Sequence, residues 1–257
     1  MPKSESKLAL AIATVVAIVG TFVVNSLSNF FPLGGQNVGE IANKILAGVL
    51  ITPANYAFII WGVIYLGLIA YSVYQLQPPQ QKNPQFWRWN QLLIVACLAQ
   101  IIWIFCFTLK LFTLSILPML VILLSLLGIY TNLGLEKTRT SWQQRWYVQI
   151  PLSIYTAWIT VATIVNVASA LYAGGWNGWG LSHALWTAIL MLVGGLVAGY
   201  IALIYKDLPF VLVFVWAYTA IAARHPDIAV IWITAIAISL LLCGLVVLAR
   251  LLPFRKT

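Results

Sequence analysis

Apolar and polar positions fall along this chain in long blocks rather than alternating residue by residue. Residues 8–24 are almost unbroken apolar sequence, and further apolar blocks cover about 54–75, 91–108, 112–134, 148–171, 182–204, 208–223 and 227–249. A helix needs about 20 apolar residues to cross the ~30 Å hydrocarbon core of a bilayer. Seven blocks come close to that length, and 208–223 is short. The pattern predicts an all-α integral membrane protein of about eight transmembrane helices. A charged start before an apolar run also fits a signal peptide, but 8–24 is long for one and 25–29 is not a small-x-small cleavage site, so a retained first helix is expected.

The polar intervals between the blocks have readable chemistry. Residues 28–52 form a polar loop in which Ile41, Ile45 and Leu46 suit one short interfacial turn. The run 77–84 carries three prolines and is expected to be non-helical and in water. A tight turn is expected at Lys110. The loop 135–147 is bordered by Trp142 and Trp146, and the uncharged, glycine-rich turn 174–180 holds Trp176 and Trp179, all suited to an interfacial aromatic belt.

Composition strengthens the membrane reading. The chain is 62% hydrophobic and 7% charged, against roughly 25% charged in soluble domains. Its net charge of +9 is spread over short loops and not gathered into a patch, so no nucleic-acid partner is implied. With alternating spans, one side receives Lys3, Lys7, Lys82, Arg88, Lys137, Arg139, Arg145, Lys206, Arg250, Arg255 and Lys256. The other receives only Lys44, Lys110 and Arg224, which completes the 14 basic residues. The positive-inside rule then places both termini in the cytoplasm, in a bacterial-type inner membrane, and turns the 28–52 loop outward.

Several chemistries lose support. Glu5, Glu40, Glu136, Asp207 and Asp227 all fall in tails or loops, so ion coupling through a mid-membrane charge is not expected. Paired carboxylates and a Ser/His/Asp arrangement are not visible, and no catalytic residue is assigned. His183 and His225 lie near span ends, on opposite faces by this topology, and read as solvated or capping residues, so no metal site is assigned. Cys97, Cys106 and Cys243 sit in apolar blocks without CxxC spacing and read as reduced residues packed between helices.

The spans do carry aromatic stripes. After Thr52, a plausible N-cap, and Pro53, a plausible first-turn residue, Phe58, Trp61 and Tyr65 recur at i, i+3 and i+7. Gln100, Trp103 and Phe107 repeat that spacing in the third span. In the fifth, Tyr155, Trp158, Ala162 and Asn166 recur at i, i+3, i+7 and i+11, after Pro151 in the first turn. Two readings fit these stripes: helix–helix packing with amides bonding across helices, or the walls of a cavity for a flat hydrophobic ligand.

The segment from Thr52-Pro53 through Phe58 and Trp61-Gly62 to Tyr65 resembles the aromatic second helix of the tryptophan-rich sensory protein family. This is the TspO/MBR or translocator family, also called the peripheral-type benzodiazepine receptor. Pro151, Tyr155, Trp158, Ala162 and Asn166 are similar to its fifth helix, and Trp103 to a tryptophan of its third, where Gln100 replaces the usual asparagine. The fourth span departs by lacking tryptophan. The resemblance covers roughly residues 8–170. It implies a five-helix bundle whose pocket opens near the loop between the first two helices and takes porphyrins or other hydrophobic ligands. Ligand-binding residues carried over are Phe58, Trp61, Tyr65, Trp103, Trp158, Ala162 and Asn166. Sterol is disfavoured, because 167–172 lacks the basic residue of the animal sterol-recognition segment.

The resemblance thus divides the chain into a five-helix bundle at 1–172 and an extension of about three transmembrane helices at 173–257. In the extension, Gly194, Gly195, Ala198 and Gly199 form a small-residue ridge for close packing, within the chain or in a homodimer. The expected role is binding, sensing or transferring a tetrapyrrole-like ligand, with no required cofactor. The alternatives are transport of another lipophilic molecule, or light-dependent porphyrin breakdown, with enzyme activity the less favoured.

Overall fold

The computed structural model describes residues 4–135 and 140–251. Eight long helices follow in order: α1 (Ser4–Phe30), α2 (Ile60–Gln75), α3 (Pro84–Thr108), α4 (Phe112–Tyr130), α5 (Ile150–Ala173), α6 (His183–Ile204), α7 (Leu208–Arg224) and α8 (Ala229–Leu251). Among the described residues, seven helical segments are long and apolar enough to cross a membrane, and α7 is a shorter apolar helix of 17 residues. The protein is an all-α membrane protein of about eight helices.

Helices α1 to α5 close a ring. Helix α1 packs on α2 and α3, α3 packs on α4, α4 on α5, and α5 returns to α2. The α2–α5 closure depends on Gly67, where an added Cβ would fall 2.8 Å from the Pro151 Cβ. Helices α6, α7 and α8 contact one another, and α7 seats the trio against α5. One buried core therefore runs through both groups. Nine α7 residues are buried, among them Phe210, Phe214 and Tyr218. The tight turns before α4 and α7 put Lys110 at φ 63° and Lys206 at φ 52°, the left-handed region that side chains disfavour.

Local structure revises several expectations. Regular α2 begins only at Ile60, behind a 3₁₀ turn at Asn55–Ile59 whose N-cap is Ala54. Thr52 is buried and does not cap it, because the turn starts only at Asn55 and Thr52 lies two residues before the capping position. The proline-rich connector does form a helical turn, Pro78–Gln81, since prolines in a first turn forfeit no intrahelical hydrogen bond. Ahead of α5, Ser141 caps the short helix Trp142–Gln144, which continues through a wider π-turn at Arg145–Gln149. The expected loop is thus largely helical, while its charged residues Glu136, Lys137 and Arg139 lie outside the described residues.

The loop between α1 and α2 holds the turn expected there. Asn37 caps Val38–Glu40 in a reciprocal capping box with Glu40, and Ile41–Ile45 follows as a π-turn. Both histidines belong to this end of the bundle rather than to opposite faces: His225 hydrogen-bonds the Leu50 backbone, and His183 lines a small cavity beside Leu50 and Ile51. Cys97 and Cys106 are buried, but Cys243 is exposed on α8 instead of packed between helices. The small-residue ridge works inside the chain. A Cβ on Gly194 would meet the Tyr218 hydroxyl, and one on Gly195 would lie 2.8 Å from Ile238.

Candidate functional site

The ring of α1 to α5 surrounds a cavity of about 660 Å³ beneath the loop that joins α1 to α2. That volume lies within the range of small-molecule sites, roughly 300–1,000 Å³. All seven residues singled out from sequence line it: Phe58 from the 3₁₀ turn, Trp61 and Tyr65 from α2, Trp103 from α3, and Trp158, Ala162 and Asn166 from α5. The helical spacing explains the convergence, since i, i+3 and i+7 share one face and the ring turns those faces inward.

The walls are built by ring packing. Trp61 stacks on Tyr65 with centroids 5.8 Å apart and meets Tyr155 edge-on at 6.2 Å. Phe58 stands perpendicular to Trp158 at 5.9 Å, and Trp103 lies beside Phe107 at 5.0 Å. The tryptophan missing from the fourth span leaves no breach, because Met119 and Ile122 of α4 close that side.

Two polar networks fix the walls. Gln100 donates from Nε2 to the Tyr65 hydroxyl at 3.0 Å and accepts from the Tyr155 hydroxyl, so one amide spans α2, α3 and α5. Asn25 of α1 also donates to Tyr65, at 2.8 Å. In the second network, Asn166 Oδ1 accepts from Trp103 Nε1 at 3.0 Å and from the Ser115 hydroxyl at 3.1 Å. Two donors remain buried without a partner, Trp158 Nε1 and Asn166 Nδ2. Unpaired buried donors cost about 1–3 kcal/mol each, which makes them sites where a ligand acceptor gains most.

The mouth differs from the interior. Asn25, Ser26 and Asn29 of α1 join Asn37, Asn43 and Asn55 around the opening, with Glu40 and Lys44. Asn43 bridges the rim by donating to the Gly39 carbonyl and to Asn55 Oδ1, both at 2.7 Å. Lys44 stands 3.6 Å from Glu40. The Asn37 N–H bond to Glu40, aided by Lys44, holds this partly exposed carboxyl below its usual range. The sequence marked this loop as polar and the resemblance implied a pocket opening near it, but the individual rim residues Asn37, Asn43 and Asn55 were missed. Asn25 and Ser115 were missed too, being single polar residues in apolar helices with no stripe around them.

A second polar cluster lies away from the cavity. Asp207 caps α7, yet its side chain is only 5% exposed. Its carboxylate accepts from the Tyr130 hydroxyl at 2.8 Å and from the Ser153 hydroxyl, tying α4 and α5 to α7. Burial raises its pKa above the usual carboxylate range, against the lowering effect of Ser153, Tyr130, the Phe210 N–H and the Arg145 charge. As a loop residue it gave no sign of this in the sequence.

A family model described as TSPO-like protein matches residues 11–248, taking in α6–α8 along with the first five helices. No curated protein and no solved structure matches the chain.

Proposed function

The chain belongs to the TSPO-like protein family, and from that premise and the lined cavity we propose that it binds, senses or transfers a flat, hydrophobic, tetrapyrrole-like molecule. The family supports a ligand-binding or transport role in the membrane. The observation that carries the finer reading is the cavity itself: five helices and the 3₁₀ turn converge on one space, with Phe58, Trp61, Tyr65, Trp103 and Trp158 around it. Each aromatic pair contributes about 0.5–1.5 kcal/mol beyond area burial, so several rings against one flat ligand give useful affinity.

The polarity gradient supports an amphipathic ligand. Its apolar face lies among the tryptophans and its polar edge at the asparagine rim, while acceptor atoms satisfy Trp158 Nε1 and Asn166 Nδ2. In the proposed orientation both termini are cytoplasmic, in a bacterial-type inner membrane, and the rim faces outward. The basic residues Lys82, Arg88, Arg145 and Lys206 at the opposite end favour it.

Titrating the purified protein with protoporphyrin while following tryptophan emission tests this reading. Saturable quenching that weakens at least tenfold in Trp158→Ala is expected. Quenching that is non-saturable, or unchanged in that variant, would contradict it.

A further inference from the structure

The segment 52–59 is a strap: it leaves the outward loop, carries Phe58 into the cavity wall and enters α2. Its backbone is held from outside the five-helix ring. The Ala54 N–H donates to the Ala220 carbonyl at 3.1 Å, Trp216 Nε1 donates to the Ala57 carbonyl at 3.1 Å, and Arg224 Nη1 donates to the Pro53 carbonyl at 3.1 Å. The Trp216 ring also meets Tyr56 edge-on at 5.4 Å. All four contacts come from α7, and neither Trp216 nor Arg224 lines the cavity.

We propose that α7 braces the ligand site, with Trp216 and Arg224 as positioning residues that hold the 52–59 strap, and so Phe58, in register with Trp158. The strap needs such a brace for a local reason. It is a 3₁₀ turn without a side-chain cap; its own hydrogen bonding leaves the Pro53 carbonyl to an external donor, and the Ala57 carbonyl, which accepts from the Ile60 N–H, takes Trp216 as a second donor. The brace reaches the strap because α7 is short: its last turn ends beside residues 52–59 instead of emerging past them. The inference rests on the binding role proposed above for the relevance of Phe58, while the brace itself can be read without any ligand.

Two measurements on the full-length protein in mild detergent separate the two claims. Hydrogen–deuterium exchange of peptides covering 52–60 reads the brace, and protoporphyrin titration reads the site. Trp216→Phe keeps the ring against Tyr56 and removes one donor; Arg224→Met removes the other, and Arg224→Lys retains a cation that can donate. Exchange over 52–60 is expected to rise about three- to tenfold in Trp216→Phe and Arg224→Met, the range for losing one hydrogen bond worth about 1 kcal/mol. Arg224→Lys should restore much of the protection, and peptides within α3 and α4 should stay unchanged. Porphyrin affinity should fall at least threefold in the same two variants, whereas Trp232→Phe on the exposed face of α8 leaves both readouts at wild-type values.

Unchanged exchange over 52–60 would overturn the brace. Faster exchange with undiminished affinity would overturn the positioning role. If wild-type protein binds no porphyrin, the proposed function fails, and exchange alone decides whether α7 holds the strap.

Discussion

Trp103 donates its indole N–H to Asn166 Oδ1 across 3.0 Å, and Ser115 places its hydroxyl on the same oxygen at 3.1 Å. One amide thereby joins α3, α4 and α5 in the cavity wall. Asn166→Leu would leave the Trp103 indole N–H without its acceptor, whereas the Ser115 hydroxyl keeps its bond to the Phe112 carbonyl at 2.6 Å. The expected loss of stability is about 1 kcal/mol, near the ~0.6 kcal/mol average for a membrane hydrogen bond because one donor loses its partner. Thermal unfolding in detergent checks this; an unchanged midpoint would contradict it.

Gln100 is the other junction, and its two bonds can be separated by substitution. Gln100→Leu deprives both Tyr65 and Tyr155, whereas Gln100→Glu retains the acceptor for Tyr155 and removes the donor to Tyr65. Leucine should cost about 2 kcal/mol or more, counting one unsatisfied hydroxyl at roughly 1–3 kcal/mol. Porphyrin affinity should fall alongside, because Tyr65 stacks on Trp61 in the wall. Equal stability of Gln100→Leu and wild type would remove Gln100 from this role.

Asp207 makes stability depend on pH. Burial raises its folded-state pKa above its unfolded value, so the folded protein binds the extra proton. Stability from this residue is therefore full below the unfolded value, near 3.8, and is lost as pH rises through the folded pKa. Asp207→Asn can still accept from Tyr130 and Ser153 and should abolish this decline. Unfolding midpoints of the two proteins from about pH 4 upward provide the check. Parallel curves would show that Asp207 does not titrate in that window.

Gly194 tests what the small-residue ridge is for. A Cβ there would displace the Tyr218 hydroxyl, which donates to the Met191 carbonyl at 2.7 Å. Gly194→Ala should cost about 1–3 kcal/mol by overpacking the α6–α7 contact. Light scattering should show the same oligomeric state as wild type; a changed state would place the ridge between chains.

What the sequence disclosed follows from periodicity. Aromatic residues at helical spacing placed Trp61, Trp103 and Trp158 in stripes, because a helix fixes which side chains share a face whatever its neighbours are, and the family resemblance named them, with Phe58, as ligand-binding. Ring closure fixes which faces meet, and that depends on close approaches such as Gly67 on Pro151 that no single helix encodes. The same limit hid the strap. The bond from Trp216 to the Ala57 carbonyl joins positions 159 residues apart, beyond the reach of any helical periodicity. Asp207 escaped for a different reason: a carboxylate in a turn reads as solvated until α4 and α5 are seen to cover it.

In the proposed function the ligand occupies the interior of the five-helix ring and not its lipid-facing surface. Ala162 lines that space, is only partly buried, and has room for a larger side chain to enter it. Ala162→Phe should fill the cavity, abolish saturable protoporphyrin binding and leave the unfolding temperature near wild type. Binding of undiminished affinity in a folded Ala162→Phe protein would contradict the claim.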